Sequence, residues 1–280
     1  MKFAKIQGNG NDFIVIDNIS GQLDINRLQQ LAPVLCRRKL CLGGDGILVL
    51  EKSNLEDFRM RLFNSDGSEG EMCGNGARCS ARYAFERGIA GPEMSFETMA
   101  GRISACVNGR EVTLDMGRID LADAIWSSSM KIREEVFEYS YLWVGVPHCV
   151  IFLSDLEDRN RESLRKIGET ARNDNVSFPG GTNVNFVQIV DSHTIKAVTY
   201  ERGVEDLTMS CGTGSTASAI AAHLIHHVDI PVEVLNPGGM NLVDLDLDES
   251  LLSCRATLKG DTLIVAEGVL TSEALESRFG

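Results

Sequence analysis

No uncharged apolar stretch in this 280-residue chain approaches the roughly 20 residues a membrane-crossing helix needs, so no helical membrane protein is expected. Basic residues are outnumbered, 27 Lys and Arg against 40 Asp and Glu. The resulting net charge of −13 argues against a nucleic-acid binder, which would carry basic stripes. The opening Met1-Lys2-Phe3-Ala4-Lys5-Ile6-Gln7-Gly8 has no apolar h-region, so no signal peptide is expected and the chain reads as cytoplasmic. Metal-ligand spacing is missing as well: none of the eight cysteines forms Cys-x-x-Cys, and the five histidines are scattered. A disulfide framework belongs to short secreted chains, so most of these cysteines read as small buried hydrophobes.

What is present is a repeat. Cys73-Gly74-Asn75-Gly76-Ala77 returns 138 positions later as Cys211-Gly212-Thr213-Gly214-Ser215. Each copy is a cysteine, then Gly-x-Gly, then an Ala-rich run at helical spacing. The length suits two domains, and the repeat suggests two similar halves, each bringing one thiol to a shared cleft. A glycine-rich turn lets backbone N–H groups approach a ligand closely. The free N–H groups and positive dipole end of a helix start bind an anion and favour a thiolate. Two such starts facing one carboxylate would suit removal of a proton beside it, because donors already in place stabilise the charge pushed onto the carboxylate. One thiolate would take the proton from one face while the opposite thiol returns one to the other.

Along the chain, many short strands alternate with few helices. Strands are expected at 2–7 and 12–18 around the Gly-Asn-Gly-Asn turn, then at 47–51, 58–63, 94–98, 102–107 and 110–116, with Asn108-Gly109 as a hairpin signal. A helix capped by Asp24 fits 24–39, with Pro33 kinking or delaying it, and another should follow Cys73 to about Arg87 with Gly88 closing it. The second half predicts strands at 132–139, 141–146, 148–153, 183–190, 194–201, 231–236, 241–247 and 252–259. Its helices are expected at 161–173 and from Cys211 to about His227, and a last strand at 262–270.

Asn64-Ser65-Asp66-Gly67-Ser68 running into Met72-Cys73-Gly74-Asn75-Gly76-Ala77-Arg78-Cys79 resembles the first signature of the diaminopimelate epimerase family. Tyr200-Glu201-Arg202-Gly203 running into Ser210-Cys211-Gly212-Thr213-Gly214 resembles the second, and Gly8-Asn9-Gly10-Asn11-Asp12-Phe13 the N-terminal motif. The resemblance implies an α+β fold of two pseudo-symmetric domains, each a mainly antiparallel β-sheet or barrel wrapped around a central helix. The expected division is 1–118, joined by the C-terminal strand 265–280, and 119–264. It implies a cofactor-independent isomerase of lysine biosynthesis that interconverts LL- and meso-diaminopimelate, with Cys73 and Cys211 as the two bases. Asn11, Asn64 and Asn183 would then lie in the substrate pocket. Arg202 would fork onto the distal carboxylate, with Glu201 on the ammonium group. Gly74, Asn75, Gly212 and Thr213 would supply donors to the reacting carboxylate. No metal or cofactor is expected; the partner is a small amino acid, not nucleic acid or membrane, and a homodimer is a family-level expectation.

Two positions depart from the pattern. The family usually reads Gly-Asn-Pro-His where this chain has Gly145-Val146-Pro147-His148, and valine offers no side-chain donor or acceptor. Gly46 stands where some members carry a polar side chain. Both fall on the distal side of the substrate, so a racemase or epimerase of the same family acting on another amino acid is the nearest alternative. From another class, Cys73 and Cys211 could form the reversible disulfide of a thiol redox protein. His148, beside an apolar strand, reads as a satisfied structural histidine.

Overall fold

The computed structural model describes residues 1–276. The last four residues of the expected C-terminal return, 277–280, lie outside the described residues. The chain separates into two compact units, one of Met1–Asp115 together with the chain from Gly260 onward, the other of Met116–Lys259.

In the first unit, β1 (Lys2–Gly8) and β2 (Asn11–Asn18) form an antiparallel hairpin whose turn, Asn9-Gly10, sits at positive φ. Helix α1 (Ile25–Leu35) crosses to β3 (Gly46–Glu51), parallel to β2, and β4 (Phe58–Asn64) returns antiparallel, with the short β5 (Glu69–Gly70) folded back on it. Helix α2 (Gly74–Glu86) then crosses to β6 (Glu93–Thr98), parallel to β4, and β7 (Gly101–Asn108) and β8 (Glu111–Asp120) follow as a meander.

The second unit opens with β9 (Ile125–Ile132) antiparallel to β10 (Glu135–Val144), which pairs in turn with β11 (Val146–Phe152). Helix α3 (Arg161–Arg172) crosses to β12 (Asn183–Ile189), parallel to β11, followed by antiparallel β13 (Thr194–Glu201) and short β14 (Asp206–Leu207). Helix α4 (Gly212–His226) crosses to β15 (Val232–Asn236), parallel to β13, and β16 (Gly239–Leu247) and β17 (Ser253–Asp261) complete the run. The chain then returns to the first unit: β18 (Leu263–Val269) lies antiparallel to β1, and α5 (Ser272–Glu276) follows.

The order from β1 to β7 is thus repeated from β10 to β16. In each unit one helix lies against most of the strands, α2 against β1–β4 and β7, α4 against β9–β13, β15 and β16. Small residues make this possible. Ala77, Cys79, Ala81 and Ala84 of α2 and the unbroken stretch Gly214–Ala222 of α4 are buried, and their short side chains let the surrounding strands approach. Each unit is a largely antiparallel sheet around one buried helix, as expected.

Local departures have local causes. Helix α1 stops at Leu35, not 39, because the carbonyls of Leu35 and Cys36 accept from Gly43 and Gly44, which turns the chain away. Strand β9 was not expected at all. Its Ile-Trp-Ser-Ser-Ser-Met-Lys-Ile buries only Met130 and Ile132, so its apolar alternation is weak, and its pairing with β10 replaces the two expected strands at 132–139 and 141–146 by one continuous strand.

Candidate active site

The two repeated cysteines occupy the same structural position. Cys73 is the N-cap of α2 with φ −137° and ψ 122°, and Cys211 is the N-cap of α4 with φ −119° and ψ 116°. In each, the cysteine carbonyl takes the first helical bond, from Ala77 N at 2.7 Å and from Ser215 N at 2.8 Å. An extended cap followed by Gly-x-Gly therefore leaves the thiol at the mouth of the first turn, where helix N–H groups are short of partners. Around Cys211 the Sγ accepts from Gly214 N at 3.4 Å and lies 3.5 Å from Thr213 Oγ1. Among the other thiols, burial pushes Cys36 up to about 12 and Cys254 up to about 11, and also raises Cys79 and Cys149.

Strand register shows that the other expected site residues also occur as twins. Asn11 and Val146 are the first residues of β2 and β11, Gly46 and Asn183 the first of β3 and β12, and Asn64 and Glu201 the last of β4 and β13. Phe13 pairs with Gly46 and Gly46 with Asn64; His148 pairs with Asn183, which stands one step before the Val184–Tyr200 pair. Each unit gathers its set at the end of the sheet where its helix begins. The first unit brings Asn11, Asn64, Cys73, Gly74 and Asn75 there, and the second Asn183, Glu201, Arg202, Cys211, Gly212 and Thr213.

Their side chains are differently engaged. Asn11 Oδ1 accepts from Asn75 Nδ2, and Asn11 Nδ2 donates to Asp45 at 2.9 Å. Asn64 donates to Ser68 Oγ at 3.0 Å, which ties it to its own turn. Asn183 Oδ1 accepts from Arg202 N at 2.7 Å, and Arg202 Nη1 donates to the Gly180 carbonyl at 3.0 Å. Glu201, half-buried, pairs with Asp206 across the β13–β14 hairpin. Gly46 has a steric reason to lack a side chain: a Cβ there would stand 2.6 Å from the Phe63 carbonyl oxygen. Nearby, burial opposes charge on Asp12, but hydrogen bonds from Arg38 and Lys5 outweigh it and hold its carboxyl below the usual range.

Asn185 and Thr199, which carry no signal in the sequence, lie with His148 beneath the Cys211 helix start. His148 is fully buried; its Nδ1 faces Asn185 Nδ2 at 3.1 Å, and Asn185 Oδ1 accepts from Thr199 Oγ1 at 2.9 Å. Asn185 Nδ2 also donates to the Cys149 carbonyl, so its amide orientation is set from both sides. His148 Nδ1 must then accept, which puts the ring proton on Nε2, an atom with no hydrogen-bond partner among the described residues. Burial pushes the His148 pKa down to about 3, so the ring is neutral. His148 is therefore not the satisfied core histidine that its apolar strand suggests. The corresponding positions of the first unit are Phe13, Leu48 and Leu62, all apolar and buried.

Proteins similar to this chain match it over most of its length. A family described as diaminopimelate epimerase matches residues 3–122 and 140–255. A diaminopimelate epimerase from Aquifex aeolicus is 40% identical, covering 99% of this chain and 100% of its own length. Another from Methanothrix thermoacetophila is 38% identical, covering 99% and 98%. Among solved structures, a PhzF-family phenazine biosynthesis protein from Bacillus anthracis superposes with a TM-score of 0.72 at 14% identity, covering 97% of this chain and 99% of its own. A hydroxyproline epimerase from Agrobacterium vitis superposes with a TM-score of 0.71 at 16% identity, covering 98% and 93%. The structural likenesses speak to the fold; the sequence matches place this chain in the diaminopimelate epimerase family.

Proposed function

We propose that this protein is a cofactor-independent epimerase that interconverts LL- and meso-diaminopimelate, with Cys73 and Cys211 as its two bases. The observation that carries the reading is the matched pair of cysteine N-caps, one at the start of the buried helix in each repeat. One thiolate takes the proton from the substrate α-carbon, and the electron pair left behind is delocalised into the adjacent carboxylate. The N–H groups of Gly74, Asn75, Gly212 and Thr213 hold that carboxylate and stabilise its added charge. The opposite thiol gives its proton to the other face of the carbon, so the configuration inverts and the enzyme ends with thiol and thiolate exchanged. Asn11, Asn64, Asn183, Glu201 and Arg202 grip the rest of the substrate, Arg202 through its guanidinium and Glu201 through its carboxylate.

The test is α-proton exchange in deuterated water under reducing conditions, with LL- and meso-diaminopimelate beside ornithine, lysine and glutamate. Exchange with inversion on diaminopimelate supports the reading. Inversion of another amino acid, with diaminopimelate inert, would favour the alternative that Val146 invites. That residue is the apolar twin of Asn11, at a position where the family usually places a hydrogen-bonding side chain. Absence of exchange on every substrate would turn attention to thiol redox chemistry.

A further inference from the structure

Arg78 is fully buried, five residues beyond Cys73 in α2, and has no carboxylate within ion-pair distance among the described residues. Its Nη2 donates to Asn75 Oδ1 at 2.6 Å, while its Nε and Nη1 have no hydrogen-bond partner there. A cation near a helix N-terminus opposes the helix dipole, and burying it adds a desolvation cost. The fold does not demand it. The equivalent residue of α4 is Thr216, whose hydroxyl bonds back to the Gly212 carbonyl at 3.1 Å. Likewise Asp45, which precedes Gly46, corresponds in the second unit to Thr182, a buried hydroxyl on the Asn183 carbonyl.

These two charged residues end one hydrogen-bonded chain. Arg78 donates to Asn75, Asn75 donates to Asn11, Asn11 donates to Asp45, and Asp45 is held in turn by Arg38 at 3.0 Å and by the Asp12 N–H at 3.1 Å. A guanidinium can only donate and a carboxylate can only accept. Asn75 must therefore turn its oxygen to Arg78 and its nitrogen to Asn11. Asn11 must turn its oxygen to Asn75 and its nitrogen to Asp45. Flipping either amide sets donor against donor and oxygen against oxygen. We infer that Arg78 and Asp45 are positioning residues of the epimerase site, which fix from opposite ends the amide orientation of Asn11 and Asn75. This inference rests on the proposed function, because that reading is what brings Asn11 and Asn75 to the substrate. Its consequence is that Asn11 meets the substrate with an amide N–H and not with its carbonyl oxygen, so the substrate group beside it is an acceptor such as a carboxylate oxygen.

Arg78→Met, Arg78→Lys, Asp45→Asn and the Arg78→Met/Asp45→Asn double variant test it, by two readouts. The first is the side-chain amide NMR signals of Asn11 and Asn75 in the full chain, which need no substrate. Both pairs should shift and exchange faster with solvent in Arg78→Met and again in Asp45→Asn, although the substitutions lie at opposite ends. The second is kcat/KM for diaminopimelate, which should fall about tenfold in each single variant and no more than about tenfold in the double variant, since both act through one chain. Arg78→Lys, which keeps a buried donor, should recover most of the loss and covers the case in which Arg78→Met fails to fold. Amide signals that change only beside the substituted residue, or losses that multiply to about a hundredfold in the double variant, would overturn the inference. A wild-type protein inert toward diaminopimelate would remove the proposed reaction, and the amide signals would still decide the relay.

Discussion

At the scale of the residue, two thiols sit in equivalent helix caps, and a buried histidine lies beneath only one of them. If Cys73 and Cys211 are the bases, Cys73→Ala or Cys211→Ala should lower inversion of diaminopimelate by roughly a hundred- to ten-thousand-fold with the melting temperature nearly unchanged. Substantial racemisation by either variant would end the two-base account. His148 supports a second prediction. Its pKa falls from 6.5 in the unfolded chain to about 3 in the folded one, so the unfolded state binds the extra proton between those values. The stability that neutral His148 contributes is thus fully present above pH 6.5 and is lost as the pH falls toward 3. Between about pH 7 and about pH 5 this loss amounts to about 2 kcal/mol. His148→Phe, the residue of the corresponding position in the first unit, should flatten urea-unfolding stability over that range by this amount. An unchanged pH dependence would mean that His148 does not stay neutral.

At the scale of the element, the two buried helices start alike but rest on different ground. A Cβ on Gly214 would stand 2.5 Å from Asn185 Oδ1 and 3.0 Å from Thr199 Oγ1, both held in the His148 network. A Cβ on Gly76 would come closest to the end of the Leu48 side chain, at 3.1 Å, with Cys73 Cβ and Phe13 Cζ at an ordinary 3.6 Å. A leucine methyl can rotate away, whereas a hydrogen-bonded buried amide cannot move without breaking its bonds. Gly214→Ala should therefore cost about 2–4 kcal/mol and Gly76→Ala under about 1.5 kcal/mol, as read from thermal melts. Equal losses would show that the polar network yields as readily as leucine.

At the scale of the whole molecule, the chain leaves its first unit near Asp115 and returns to it after Lys259. The return matters because β18 supplies the ladder along one side of β1, from Lys2 opposite Val269 to Gln7 opposite Leu263. Leu270 N also donates to the Met1 carbonyl at 2.8 Å. A chain ending at Lys259 should expose that side of β1 as an unpaired edge. Limited proteolysis should then digest the first 115 residues while a fragment near Met116–Lys259 resists. Equal resistance of both parts would mean that β1 does not need its C-terminal partner.

Much of this molecule was written in local patterns. The paired Cys-Gly-x-Gly signatures, the Ala-rich runs behind them and the glycine and asparagine turns located both helix starts and most strands, because helix caps and tight turns are decided within a few residues. Strand β9 was illegible because its three serines hide the alternation, and only pairing with β10 makes it a strand. The end of α1 depended on Gly43 and Gly44 reaching back for its carbonyls. The twin relation of Asn11 with Val146, of Gly46 with Asn183 and of Asn64 with Glu201 also needed the register of strands far apart in sequence. So did the polar base of His148, Asn185 and Thr199, and the chain from Arg78 to Asp45. The cysteine caps follow from a few neighbouring residues, since each is built from its own turn of backbone. Which way an amide faces, and which nitrogen of a histidine holds the proton, were decided by tertiary structure alone, because both depend on donors and acceptors brought from other strands.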